Sequence, residues 1–133
     1  MKKFLVILIL MFVLCGCSVN KMNRVKSNFV AAGYTYSQDA NKYIEDIIAE
    51  ANNEDIVFYP HVFILKEGII TNVAVVLEFK SSQKLNEMLK ESEMLKGMLK
   101  DLKKSDYVYG NCLLIPLLPI SVTVEEMIEV FQS

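Results

Sequence analysis

Apolar residues recur along this chain in two periods, and the switches between them mark out its elements. From Asp39 to Ala51, Tyr43, Ile44, Ile47, Ile48 and Ala51 fall on one stripe at helical spacing with Glu45, Asp46 and Glu50 opposite, so a helix is predicted, ended by Asn52 and Asn53. The period then shortens to two. Ile56, Phe58, Pro60, Val62 and Ile64 alternate with Val57, Tyr59, His61, Phe63 and Leu65, which predicts a strand apolar on both faces, with a proline that limits its pairing. Lys66, Glu67 and Gly68 form a turn signal, and Val73, Val75, Leu77 and Phe79 alternate with Ala74, Val76, Glu78 and Lys80 beyond it. The two runs make a β-hairpin, and the second strand is expected to turn one face to the core and a wetter face outward.

Ser81 or Ser82 can cap a long helix reaching about Lys104, with Leu85, Met88, Leu89, Leu95, Met98, Leu99 and Leu102 on its inner stripe. A strand from about Tyr107 to Leu117 follows, bent or bulged near Gly110, with Pro116 and Pro119 placing its end at a sheet boundary. Thr123 and Glu126 form a capping box, Val122 and Met127 a hydrophobic staple, and a helix is predicted over Val124 to about Phe131. A short strand at Tyr34 to Tyr36 joins the sheet, and Phe29 to Ala32 end a short helix at Gly33. This order predicts an α+β fold: one antiparallel or mixed sheet of three or four strands, with helices packed on one face.

The N-terminus follows neither period. Lys2 and Lys3 precede an uncharged run from Phe4 to Leu14, too short for the roughly 20 apolar residues of a membrane span. Together they form a secretory signal. Its end, Leu14, Cys15, Gly16, Cys17, resembles the lipobox of bacterial prolipoproteins: a branched apolar residue, a tolerant position and a small residue before the modified cysteine. The resemblance covers these first seventeen positions only. It implies cleavage before Cys17, a diacylglycerol thioether on its sulfur, and a domain held at the cell membrane facing away from the cytoplasm. Cys15 is a poorer acceptor because bulky Leu14 precedes it. The expected organisation is a signal peptide over 1–16, a lipidated cysteine and tether over 17–28, and one small domain over 29–133.

Losing Lys2 and Lys3 leaves 12 of the 14 basic residues against 16 acidic ones, a net charge of −4, so nucleic acid is not an expected partner. In the tether, Lys21, Arg24 and Lys26 either stay solvated or touch anionic headgroups, at about 1 kcal/mol each. Of three cysteines only Cys112 is left unassigned, within Cys112, Leu113, Leu114 and Ile115, where it reads as a small buried hydrophobe.

Reactive chemistry is sparse. His61 is the only histidine, on a strand beside Pro60, and reads as a hydrogen-bonded structural residue. His61 and Cys112 together have the chemistry of a base and a nucleophile, but no loop signature joins them. No catalytic, cofactor-binding or metal site is expected, and Cys17 is the one site residue assigned. Two surfaces suit binding: the tyrosines Tyr34, Tyr36, Tyr43, Tyr59, Tyr107 and Tyr109, and the Met-rich long helix with Met94 off its stripe. For both, packing is the first reading and a binding surface the alternative. The expected function is a noncatalytic module that binds an envelope protein or a small ligand. A small envelope enzyme whose site forms only in the tertiary structure, and a passive surface lipoprotein, are the alternatives.

Overall fold

Strand β3 (Ile70–Phe79) organises the molecule, because its residues are apolar on both faces and need cover on both. The computed structural model describes residues 21 to 51 and 58 to 133. Antiparallel to β3 on one side runs β2 (Phe58–Glu67), paired from Phe58 with Phe79 to Glu67 with Ile70, and on the other runs β5 (Cys112–Leu118). The short strands β1 (Thr35–Ser37) and β4 (Val108–Tyr109) form the two edges, so the sheet order is β1-β2-β3-β5-β4 and every pairing is antiparallel. Among the described residues the sheet has five strands, more than the three or four expected, because the segment read as one strand from Tyr107 forms two, β4 and β5.

Helices α1 (Lys21–Ala31) and α6 (Val124–Gln132) pack on one face, where Met22, Val25, Phe29, Met127 and Phe131 meet Phe63, Ala74, Val76, Cys112 and Leu114. Helices α3 (Ser82–Glu91) and α4 (Glu93–Met98) cover the other, setting Leu85, Met88, Leu95 and Leu99 against Val62, Val75, Leu77, Phe79, Leu113 and Ile115. Ala40 and Ile44 of α2 (Gln38–Ala51) pack there too. The expectation of helices on one face is thus corrected: each face buries a core of its own. So is the wetter face of β3, since Ala74 and Val76 are as fully buried as Leu77. A fully buried residue of the size of Phe63 or Leu77 contributes about 1.5–3 kcal/mol, so neither face can go bare.

Three further expectations change. The segment read as a tether is helical from Lys21, and Met22, Val25 and Phe29 belong to the core; the 3–4 residue spacing of these apolar residues carries the helix. The long helix breaks at Ser92, whose extended backbone ends α3 and whose hydroxyl accepts from Leu95 N–H to start α4. The strand from Tyr107 is a hairpin: the four-residue helix α5 (Lys104–Tyr107) leads into β4, and the chain reverses through Gly110 at φ +60 into β5. Only glycine suits that turn, since a Cβ would also lie 2.7 Å from Lys21 Cγ. The capping box at Thr123 and Glu126 is present, with both bonds at 3.1 Å.

The segments 1–20 and 52–57, which hold the signal peptide, Cys17, Asn52, Asn53 and Ile56, lie outside the described residues. The side chains of Ile47, Ile48, Ala51 and Met94 do also.

Candidate functional site

Alternation along β2 puts His61 on the same face as Phe63, the face on which α1 packs. Its Nε2 lies 3.0 Å from Glu78 Oε1 on β3 and its Nδ1 lies 2.8 Å from the Tyr36 hydroxyl on β1. Asn41 of α2 donates to the Tyr36 oxygen at 2.8 Å, and its carbonyl oxygen accepts from Val62 N–H. With a proton on Nε2 and none on Nδ1, the donors run in one direction from Asn41 through Tyr36 and His61 to the Glu78 carboxylate. Lys26 closes the top, its Nζ 4.1 Å from the centre of the Tyr36 ring. Two of the three cations read as tether charges are thus engaged with tyrosine rings: Lys21 lies 4.6 Å over Tyr109, and Arg24 instead donates to Ser133 O at 3.0 Å.

Both ring nitrogens of His61 are hydrogen-bonded, and the network joins β1, β2, β3 and α2. Hydrogen bonding between distant side chains left no mark in the sequence; Tyr36 and Asn41 carry no signature that would have paired them with His61.

Cys112 is opposite Glu78 in register and fully buried, and its Sγ lies 3.9 Å from Met22 Sδ. Burial, with the Glu78 charge adding to it and Lys21 opposing it, pushes the thiol up to about 12. A thiol held protonated through the physiological range is a poor nucleophile. Its hydrogen-bond partners are Met22 and Asn111, so the structure does not assemble a Cys112–His61 pair.

Clefts open on the surface among the described residues, three of them of about 510, 640 and 430 Å³. Tyr59, Glu78, Lys80 and Gln83 line the first, Tyr36, Gln38, Asp39 and Lys66 the second, and Asn86, Lys90, Lys96 and Tyr107 the third. None of the three gathers His61 or Cys112, or a pair of carboxylates. Among the described residues no group of three His, Cys, Asp or Glu side chains could hold a metal ion, and no helix is long and apolar enough to cross a membrane.

The tyrosines do not form one patch. Tyr34 is buried, and its phenol is pushed above its ordinary range by burial and then by the Glu126 and Glu67 charges. Tyr36 sits at one sheet edge and Tyr109 at the other, while Tyr43 and Tyr59 are exposed elsewhere. On the helices Met88 is core and Met98 is exposed, so Met98 leaves the inner stripe, as Tyr43 does on α2.

The exposed aliphatic residues gather more tightly. Ile69, at the tip of the β2–β3 hairpin, is wholly exposed; Ile70 follows it, and Leu117, Leu118 and Ile120 are exposed where β5 leaves the sheet. Val73 pairs with Leu118, and Asn72 Oδ1 accepts from the Ile120, Ser121 and Val122 N–H groups, so the end of β5 lies beside the start of β3. The five residues therefore share one end of the sheet. Periodicity could not reveal this rim, because an apolar residue beyond the end of a strand reads like one within it. No protein-family model matches the chain, and neither a curated protein nor a solved structure matches it.

Proposed function

We propose that this protein is a bacterial lipoprotein, anchored through lipid on Cys17, whose domain is a noncatalytic binding module at the outer side of the cell membrane. The anchor rests on the lipobox-like Leu14, Cys15, Gly16, Cys17 after a charged and then apolar leader. The binding role rests on one observation above the others: Ile69, Ile70, Leu117, Leu118 and Ile120 are exposed together at one end of the sheet. Aliphatic side chains in water are costly, and a cluster rimmed by charges such as Lys66 and Glu67 is the usual surface of a protein contact. The partner that fits is another envelope protein with an apolar patch of its own.

The test is site-specific photocrosslinking in intact cells, with the reactive residue at Ile69, Ile120 or, as a control, the exposed Tyr43. The expected result is one discrete adduct from Ile69 and Ile120 and none from Tyr43. Equal labelling from all three positions would remove the rim as the contact surface. Mass analysis of the mature N-terminus checks the anchor separately: an acylated Cys17 followed by Ser18 is expected, and a bare thiol there refutes it.

A further inference from the structure

Given the lipid on Cys17 proposed above, we infer that the sheet end bearing Tyr59, Lys80 and Gln83 sits on the lipid headgroup layer, with the hairpin tip pointing away from it. Three residues, Ser18, Val19 and Asn20, separate Cys17 from Lys21. Four Cα–Cα steps of 3.80 Å allow at most about 15 Å between them. Lys21 is not free to extend that reach: its ammonium lies 4.6 Å over the Tyr109 ring, and its stem packs against Gly110. The next residue, Met22, is buried against Cys112. Unwinding α1 to lengthen the tether would strip Met22 and then Val25 from the core.

Lys21 lies at the β4–β5 turn, and Asn111 of that turn donates its amide to Phe79 O, so this is also the end where β3 finishes and α3 begins. Its surface suits headgroups. Tyr59 is half exposed, an amphipathic ring of the kind favoured at membrane interfaces, and Lys80 lines the same cleft. A domain lying on the side of α1 and α6 would instead bring down Glu125, Glu126 and Glu129, which anionic lipid repels, while the cations of α1 on that side are engaged, Arg24 with Ser133 O and Lys26 with the Tyr36 ring. The hairpin tip is at the far end of β3, roughly 30 Å off at about 3.3 Å per residue. The anchor at one end thus leaves the apolar rim at the other free for a partner.

The experiment uses the full lipidated chain in vesicles of phosphatidylethanolamine and phosphatidylglycerol that contain a nitroxide-headgroup lipid. A fluorophore is attached in turn through Gln83→Cys, Ile69→Cys and Glu125→Cys, all exposed positions. The expected result is several-fold stronger quenching at position 83 than at 69 or 125. Quenching at 69 or 125 equal to or above that at 83, in protein that floats with the vesicles and carries acyl mass on Cys17, overturns the orientation and leaves the anchor standing. Protein with an unmodified Cys17 that fails to float overturns the anchor, and the orientation falls with it.

Discussion

Asn72→Ala tests whether the buried polar bracket, and not the apolar core alone, ties the end of β5 to the sheet. Asn72 is fully buried, and its Oδ1 accepts from Ile120 N–H at 2.9 Å, Ser121 N–H at 2.8 Å and Val122 N–H at 3.3 Å. Its Nδ2 donates to Ser121 Oγ at 2.7 Å and to Leu65 O at 3.3 Å. A neutral bond contributes about 1 kcal/mol net, but three of these share one oxygen, and Ile120 and Ser121 can turn to water once freed. The expected loss is therefore about 3 kcal/mol, equivalent to a fall in Tm of about 12 °C for a domain of this size. Ser121→Ala, which removes one of the bonds, is expected to cost about 1 kcal/mol. The assay is thermal and urea unfolding of the chain without residues 1–17, with amide exchange read at Ile120, Ser121 and Val122. If Asn72→Ala melts with the parent and those three amides stay protected, the bracket does not hold the connection and the reasoning is refuted.

Cys112 makes stability depend on alkaline pH. Its folded thiol is pushed up to about 12 from an ordinary 9.0, so the unfolded chain releases its proton first, and stability is full below about pH 9 and falls from there towards 12. Urea titrations across that window should show a steeper fall in the parent than in Cys112→Val, and parallel curves would contradict the burial. For the polar network, a double-mutant cycle between Tyr36→Phe and His61→Ala is expected to give a coupling of about 1 kcal/mol, and additive losses would show that the 2.8 Å bond contributes nothing. Thr123→Ala is expected to cost about 1 kcal/mol through the lost cap of α6. Deleting residues 123 to 133 should cost far more by baring the surface under Met127 and Phe131, and a truncated chain that melts like the parent would place α6 outside the core.

Where a single residue sets local geometry, the sequence was informative. Thr123 and Glu126 marked the start of α6 because a capping box is a contact between residues three apart, visible without the fold. The β2–β3 hairpin was legible for the same reason, from Gly68 between two alternating runs. What escaped was non-local. Ala74 and Val76 look like the weaker face of β3 until α1 and α6, distant in sequence, are seen to cover them. The break at Ser92 is a competition between two hydrogen-bonding choices, and helical spacing on either side of it hides the outcome. The His61 network needs four elements to be in place before any of its bonds exist.

The sheet edges bear on how a partner can bind. β1 covers only Val62 to Ile64 of β2, and β4 covers only Cys112 and Leu113 of β5, so β4 leaves the outer edge of β5 from Leu114 to Leu118 uncovered. An open edge invites another strand, with the risk of unspecific pairing. Asn111 turns its carbonyl towards β3, where it accepts from Phe79 N–H at 2.9 Å, so by alternation Cys112 turns its backbone groups to β4, and Leu114 and Pro116 turn theirs to the open side beyond it. Pro116 has no N–H to offer there, and the register shift between Val73 and Val75 bends the strand at the same point. Strand addition is thereby disfavoured where the edge is longest. What this end of the sheet still offers is side-chain surface: Leu117, Leu118 and Ile120, with Ile69 and Ile70 alongside. The contact proposed for this end would therefore rest on apolar packing, which selects on shape, rather than on backbone pairing, which any extended chain could supply.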